Sequence, residues 1–357
     1  MSFDFAIIGN TPKAALLACM LAKTHKKQVA LIASPPNKLR PLHGFDISIA
    51  PITRPKTWKI LKENIGQTIE FLNKSGIIKT YEHVDPLFFA TNLKGQTALS
   101  HVQSMANAYG FSVEKQAHSE KYISAYKFPD AIRLLRRPFF ASLNERLKKC
   151  NVQIISPKDI KIIYKKAQMH ISSGKEKIIA KQVILVDDKA LLNHLSNSNI
   201  ENNFIKTQNS GFLIEPINKI KNPITYNLDN GITIHQRNDG AIDCLGECSV
   251  QILEQEIKET ITKNKTVRLA GRTNFMSLKT LDGAPIFGKI ARSKFISICN
   301  FNMSGFFQTP AIARILSDKA NQLEKEYFLA LAPKSKNYNR KNITEYSPIA
   351  SLNGVKK

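Results

Sequence analysis

Phe3-Asp4-Phe5-Ala6-Ile7-Ile8-Gly9-Asn10-Thr11-Pro12-Lys13-Ala14 stands at the start of the chain, and its reading decides the fold. Residues 3–8 form a short, nearly continuous apolar run, the pattern of a strand buried on both faces of a parallel sheet. Gly9 to Pro12 carries turn chemistry. Pro12 suits the first turn of a helix, where its missing N–H costs nothing. Residues 13–24 are strong helix formers with apolar side chains on most faces. Gln28-Val29-Ala30-Leu31-Ile32-Ala33 is a second buried strand. Strand, turn, helix and strand make a βαβ unit, which calls for a parallel sheet and a right-handed crossover.

Outward from this unit, residues 34–55 are loop-like. Helices are predicted over 58–75, 95–108 and 253–264. A long helix over 129–149 should kink at Pro138, and another, opened by Thr309-Pro310, should run to about residue 330. Strands are predicted at 85–90, 152–155 and 295–299, with a meander over 161–172 and 177–186. Residues 212–247 hold strand-like runs punctuated by Asp229-Asn230-Gly231 and Asn238-Asp239-Gly240, which are hairpin signals. Residues from Pro333 onward read as a polar, basic tail.

A chain of 357 residues with 43% hydrophobic and 22% charged content suits about two globular domains rather than a disordered chain. The net charge of +24 raises the question of an anionic partner. The basic pairs are scattered (Lys26-Lys27, Lys148-Lys149, Lys165-Lys166), and Lys outnumbers Arg. This argues against nucleic acid and leaves an anionic membrane surface or a plain solvated face. The five cysteines are an odd number and widely spread, which points to a reducing compartment. Residues 5–22 are apolar, but the basic cluster follows them and Gly9 to Lys13 interrupts them. They read as neither a signal peptide nor a membrane helix, so a cytoplasmic location is expected, with peripheral attachment to the inner membrane as a variant.

The first turn is a candidate anion site. Dinucleotide folds place a pyrophosphate against a helix N-terminus, on a turn whose three glycines permit close approach. Here those positions are Gly9, Thr11 and Ala14, with Asn10 between the first two. Thr11 puts a β-branched side chain where phosphate should meet backbone. The acid expected after the second strand, to hold the ribose, is replaced by Ala33 and Ser34. Taken alone, the motif leaves open a plain βαβ unit with no ligand.

Asp282-Gly283-Ala284-Pro285-Ile286-Phe287-Gly288 resembles the Asp-Gly-x-Pro-x-x-Gly segment of the D-amino-acid oxidase superfamily. Ser304-Gly305-Phe306-Phe307-Gln308-Thr309-Pro310 is similar to that superfamily's last flavin-contacting turn and helix, and residues 231–240 look like its substrate-domain hairpin. The resemblance covers nearly the whole chain. It implies a two-domain α/β flavoprotein, a Rossmann-like FAD-binding domain (1–60, 125–200 and 282–332) interleaved with an antiparallel-sheet substrate domain (61–124 and 201–281). It implies non-covalent FAD held by Gly9, Asn10, Thr11, Ala14, Ser34, Gly44, Ile160, Gly283, Ser304, Gly305 and Phe306. The substrate would be an amino acid or related amine, oxidised at its C–N bond by hydride transfer, and Arg272, Arg237 and His235 are the candidates to hold it. Gly305 would let backbone approach the ring, and the helix N-terminus after it would favour the reduced flavin.

Departures from the pattern are equally legible. Asp187-Asp188 stands where the superfamily has a small Thr-Gly turn, and carboxylates there repel a pyrophosphate. The alternative reading is therefore a degenerate, non-catalytic subunit that kept the fold for a binding or assembly role. A flavin monooxygenase of the aromatic-hydroxylase class ranks lower, because its late Gly-Asp motif is missing.

Overall fold

A computed structural model describes residues 2–34, 44–117, 122–258, 268–280 and 283–333. The first strand, Ser2–Ile8, lies between two parallel neighbours, Val29–Ile32 and Glu176–Leu185. Outward, Val29–Ile32 pairs in parallel with Val152–Ile155, and Glu176–Leu185 with Ile296–Cys299, which an antiparallel Ile286–Lys289 then follows. Ala6, Ile7 and Ile8 are buried, as is every residue of Val29–Ile32, which explains the unbroken apolar runs. The predicted meander is present as Lys161–Lys165 and Gln168–Ser173, antiparallel to Glu176–Leu185.

The helix Pro12–Lys23 buries Pro12 and every residue from Ala14 to Ala22. It lies under the sheet and also packs on the helices Arg136–Lys149 and Thr309–Leu316. A helix enclosed in this way has no broad polar face to show.

The second large sheet is mainly antiparallel. Its order is Leu269–Thr280, Phe204–Ile214, Ile242–Gly246, Thr233–Gln236, Ile224–Asn227, Leu87–Ala90, Ser124–Lys127 and Glu114–Lys115. Both predicted hairpins form. Gly231 (φ +70°) and Gly240 (φ +83°) take the left-handed conformations their turns need.

Two predicted helices are corrected. Residues 129–149 are not one helix: Ala131–Leu134 is a strand, antiparallel to Tyr81–Val84, and the helix begins at Arg136. Asp130 has a φ of +61°, which no helix interior accommodates, and Pro138 falls in the first turn, where it is tolerated. Residues 309–330 form two helices, Thr309–Leu316 and Gln322–Ala330. The break contains Asp318 (φ +57°), and Asn321 and Glu324 form a capping box that restarts the chain. The helix expected over 253–264 is seen as Val250–Ile257; its later part lies outside the described residues, as does nearly all of the tail. No helix among the described residues is long and apolar enough to cross a membrane.

Candidate functional site

The C-terminal ends of the parallel strands open onto a cleft, as this topology dictates. Two cavities lie along it. One, of about 390 Å³, is lined by Gly9, Asn10, Ser34, Ile160 and Asp187, among others. The second, of about 290 Å³, lies between the two large sheets and is lined by residues including Thr11, Lys13, Gly44, Asp187, Gly305 and Phe306. Asp187 borders both. The structure thus brings eight of the sequence-predicted cofactor residues to one cleft. Ala14 and Ser304 are buried beneath its walls, and Gly283 lines neither cavity.

The three substrate candidates line neither cavity. Arg272 is exposed on the outermost strand, opposite Phe212. Arg237 Nε lies 3.1 Å from Asp243 Oδ2. His235 is buried, with its ring edge-on to Phe45 at 5.5 Å and Nδ1 3.8 Å from the same Asp243 oxygen. Burial, with Arg133 and Arg237 nearby, holds this imidazole well below its ordinary pKa, so it is neutral.

Around the first turn, the amides of Asn10, Ala14 and Ser34 are met from within the chain. Asn10 N–H donates to Asp187 Oδ2 at 2.5 Å. Ala14 N–H donates to Thr11 Oγ1 at 3.3 Å, and Ser34 N–H to Asn10 Oδ1 at 2.7 Å. A methyl group on Gly9 would come within 3.2 Å of Asp187 Oδ2, so no open cradle surrounds that glycine. The other oxygen of Asp187 caps the helix Asp188–His194 through Ala190 N–H at 2.8 Å. A carboxylate fixed at both oxygens therefore stands where an anion would bind, and the residues of the turn do not fit a dinucleotide pyrophosphate.

The cavity between the sheets is charged but largely self-neutralised. Arg136 Nε binds Asp46 Oδ2 at 2.5 Å, and Lys279 pairs with Glu247. Asn209 Nδ2 donates to Ser277 Oγ at 2.5 Å. Asp188 accepts from Leu278 N–H at 3.2 Å, yet burial pushes its carboxyl up to about 6, with Asp187 adding to the rise. Burial pushes the Lys13 ammonium down, against the pull of Cys299 and three nearby carboxylates. Sequence reasoning did not single out Lys13, Asp46 or Glu247. One signal was present: a Lys in the first turn of an otherwise apolar helix.

No protein-family model and no curated protein sequence matches the chain. Solved structures do. L-proline dehydrogenase from P. horikoshii superposes with a TM-score of 0.71 at 14% identity, over 91% of this chain and 96% of that one. The fold is the one these solved structures share. Glycine oxidase from Bacillus cereus gives the same TM-score, 0.71, at 12% identity, over 93% of this chain and 99% of that one. L-amino acid deaminase from Proteus vulgaris, without its specific insertion, gives 0.66 at 14% identity, over 94% and 91%. The likeness thus extends across almost the whole chain. At such identities the likeness carries the fold and leaves the chemistry to be argued from the residues.

Proposed function

We propose that the chain is a small-molecule-binding protein that keeps the superfamily's fold and its cavity between the sheets but works without a bound dinucleotide. The observation that carries this reading is the Asp187 carboxylate on Asn10 N–H. A pyrophosphate entering there must displace that hydrogen bond and sit beside a like charge in a partly desolvated cleft, which is unfavourable on both counts. Thr11 and Ala33 act in the same direction, since neither supplies what a dinucleotide needs. The test is the visible absorption spectrum of the purified native protein, followed by titration with FAD. A colourless protein that leaves FAD fluorescence unchanged supports the proposal; stoichiometric flavin overturns it.

A second reading is an FAD-dependent oxidoreductase acting on the C–N bond of an amino acid or related amine. It is favoured by the two cavities that meet at Asp187 beside the turn, and by the superfamily fold. Flavin bands that bleach anaerobically on adding an amino acid would establish it. Either reading allows attachment to an anionic surface, which the +24 net charge motivates and a lipid-vesicle sedimentation assay would check.

A further inference from the structure

Among the described residues, the side-chain nitrogen of Lys13 makes no hydrogen bond and no ion pair, although it lines the cavity between the sheets. Its neighbours are the Phe301 ring, 5.1 Å from Nζ to centroid, and Gly305, where an added methyl group would lie 3.8 Å from Nζ. The other cations of the cavity are engaged, Arg136 by Asp46 and Lys279 by Glu247. Lys13 stands on the first turn of a helix that buries Pro12 and Ala14 to Ala22, which fixes where its side chain starts. Asp188 lines the same cavity and interacts electrostatically with it. Burial works on the pair in a useful sense: it pushes Lys13 toward the free amine and leaves part of Asp188 protonated near neutrality.

We infer that Lys13 is a nucleophilic amine that captures a carbonyl compound as an imine inside the cavity, with Asp188 as the proton donor. The Nζ lone pair forms a bond to the carbonyl carbon while the C=O π pair moves to oxygen. That oxygen takes the proton shed by nitrogen. Asp188 then protonates the resulting hydroxyl, water leaves, C=N forms, and the Asp188 carboxylate takes back the remaining N–H proton. Amine and carbonyl give imine and water, with no change of oxidation state, so no further reactant is required. The inference rests on the dinucleotide-free reading, because a flavin ring beside Gly305 would compete for the same space.

The cavity also indicates which carbonyl compound fits. With both cation–carboxylate pairs closed, the uncompensated groups are Lys13 against Asp187 and Asp188, so a ligand carrying its own carboxylate meets net repulsion. Phe45, Tyr226, Phe275, Phe301 and Met303 supply apolar wall. A neutral aldehyde with a flat or aliphatic body is the class that fits.

The test uses the full-length chain, first checked for colour, with benzaldehyde at limiting ratio and sodium borohydride. Borohydride reduces an imine to a secondary amine and fixes the adduct. Intact-mass analysis is expected to show one benzyl group, and peptide mapping to place it on Lys13 ahead of the surface lysines. Asp188→Asn is expected to slow labelling at Lys13 by about 100-fold, the scale of general-acid assistance, without changing the surface lysines. Lys13→Arg, which keeps the charge, should abolish the single fast adduct. Glyoxylate should label Lys13 more slowly than benzaldehyde. Labelling confined to surface lysines in a colourless, folded protein overturns this inference and leaves the proposed function standing. A flavin seen before aldehyde is added overturns the parent reading instead. Faster labelling by glyoxylate overturns the assigned ligand class.

Discussion

Arg314 grips Glu324 across the break between the last two described helices, its Nε lying 3.0 and 3.1 Å from the two carboxylate oxygens. Glu324 is fully buried and also closes the capping box with Asn321. The same guanidinium reaches back to Asn64 Oδ1 at 2.7 Å and Gln67 Oε1 at 2.5 Å on the helix Pro55–Lys74. Removing one partner of such a pair leaves a poorly solvated charge behind. Glu324→Ala is expected to cost about 3 kcal/mol or more in urea denaturation, and Glu324→Gln distinctly less, because it keeps an acceptor for the cap. Equal losses for the two variants would remove charge from the explanation.

Asp187 does two jobs, capping a helix and occupying the first turn. Asp187→Ala should lower stability by about 1–2 kcal/mol through the lost cap. Asp187→Thr keeps a capping oxygen and removes the charge. It is expected to bind FAD more tightly than the wild type, read as quenching of FAD fluorescence. A variant as indifferent to FAD as the wild type would mean that Asp187 is not what excludes the cofactor.

Two glycines should respond in opposite ways. Gly66 lies inside the helix Pro55–Lys74 with nothing within 4 Å of where a side chain would start, so Gly66→Ala should stabilise by about 0.5–1 kcal/mol. Gly305 has Phe301 Cβ only 2.6 Å from that point, so Gly305→Ala should destabilise by about 1–3 kcal/mol as the wall shifts. Paired thermal melts decide both.

Asp188 sets a pH dependence with a definite sign. Its folded-state pKa is raised to about 6 from 3.8, so between those values the folded state holds its proton more firmly than the unfolded state. Stability from this group is fully present near pH 4 and is lost as pH rises through about 6. Asp188→Asn should therefore melt higher than the wild type at pH 8, and the gap should close toward pH 4. A gap that widens on acidification would reverse the assignment.

How much of this was legible in the sequence varies with how local the determinant is. The opening βαβ unit could be read because each piece has its own period or turn residue, as could both hairpins. The strand Ala131–Leu134 could not: Ile132, Leu134 and Leu135 satisfy a helical period as readily as an alternating one, and what decides is pairing with Tyr81–Val84. The adjacent acids Asp187-Asp188 stood out at once. That the first of them would bond Asn10 follows from the parallel register of Ile8 with Leu185, which sets the two turns side by side. Arg136 has only Arg137 as a charged neighbour in the sequence, and its partner Asp46 is 90 residues away in the chain. Lys13 is burdened with burial by Phe301 and Gly305, residues from the far end of the sequence that no local pattern could announce.

The first turn, where Asp187, Thr11 and Asn10 satisfy the amides of Asn10, Ala14 and Ser34, bears on how the protein is made. Proteins whose cofactor supplies such contacts are stabilised by mass action, and their folded fraction follows cofactor supply. On the dinucleotide-free reading proposed above, a chain that carries its own anion at this point is released from that coupling. Its yield on synthesis, and its resistance to proteolysis afterwards, would stay the same in flavin-starved and flavin-replete cells.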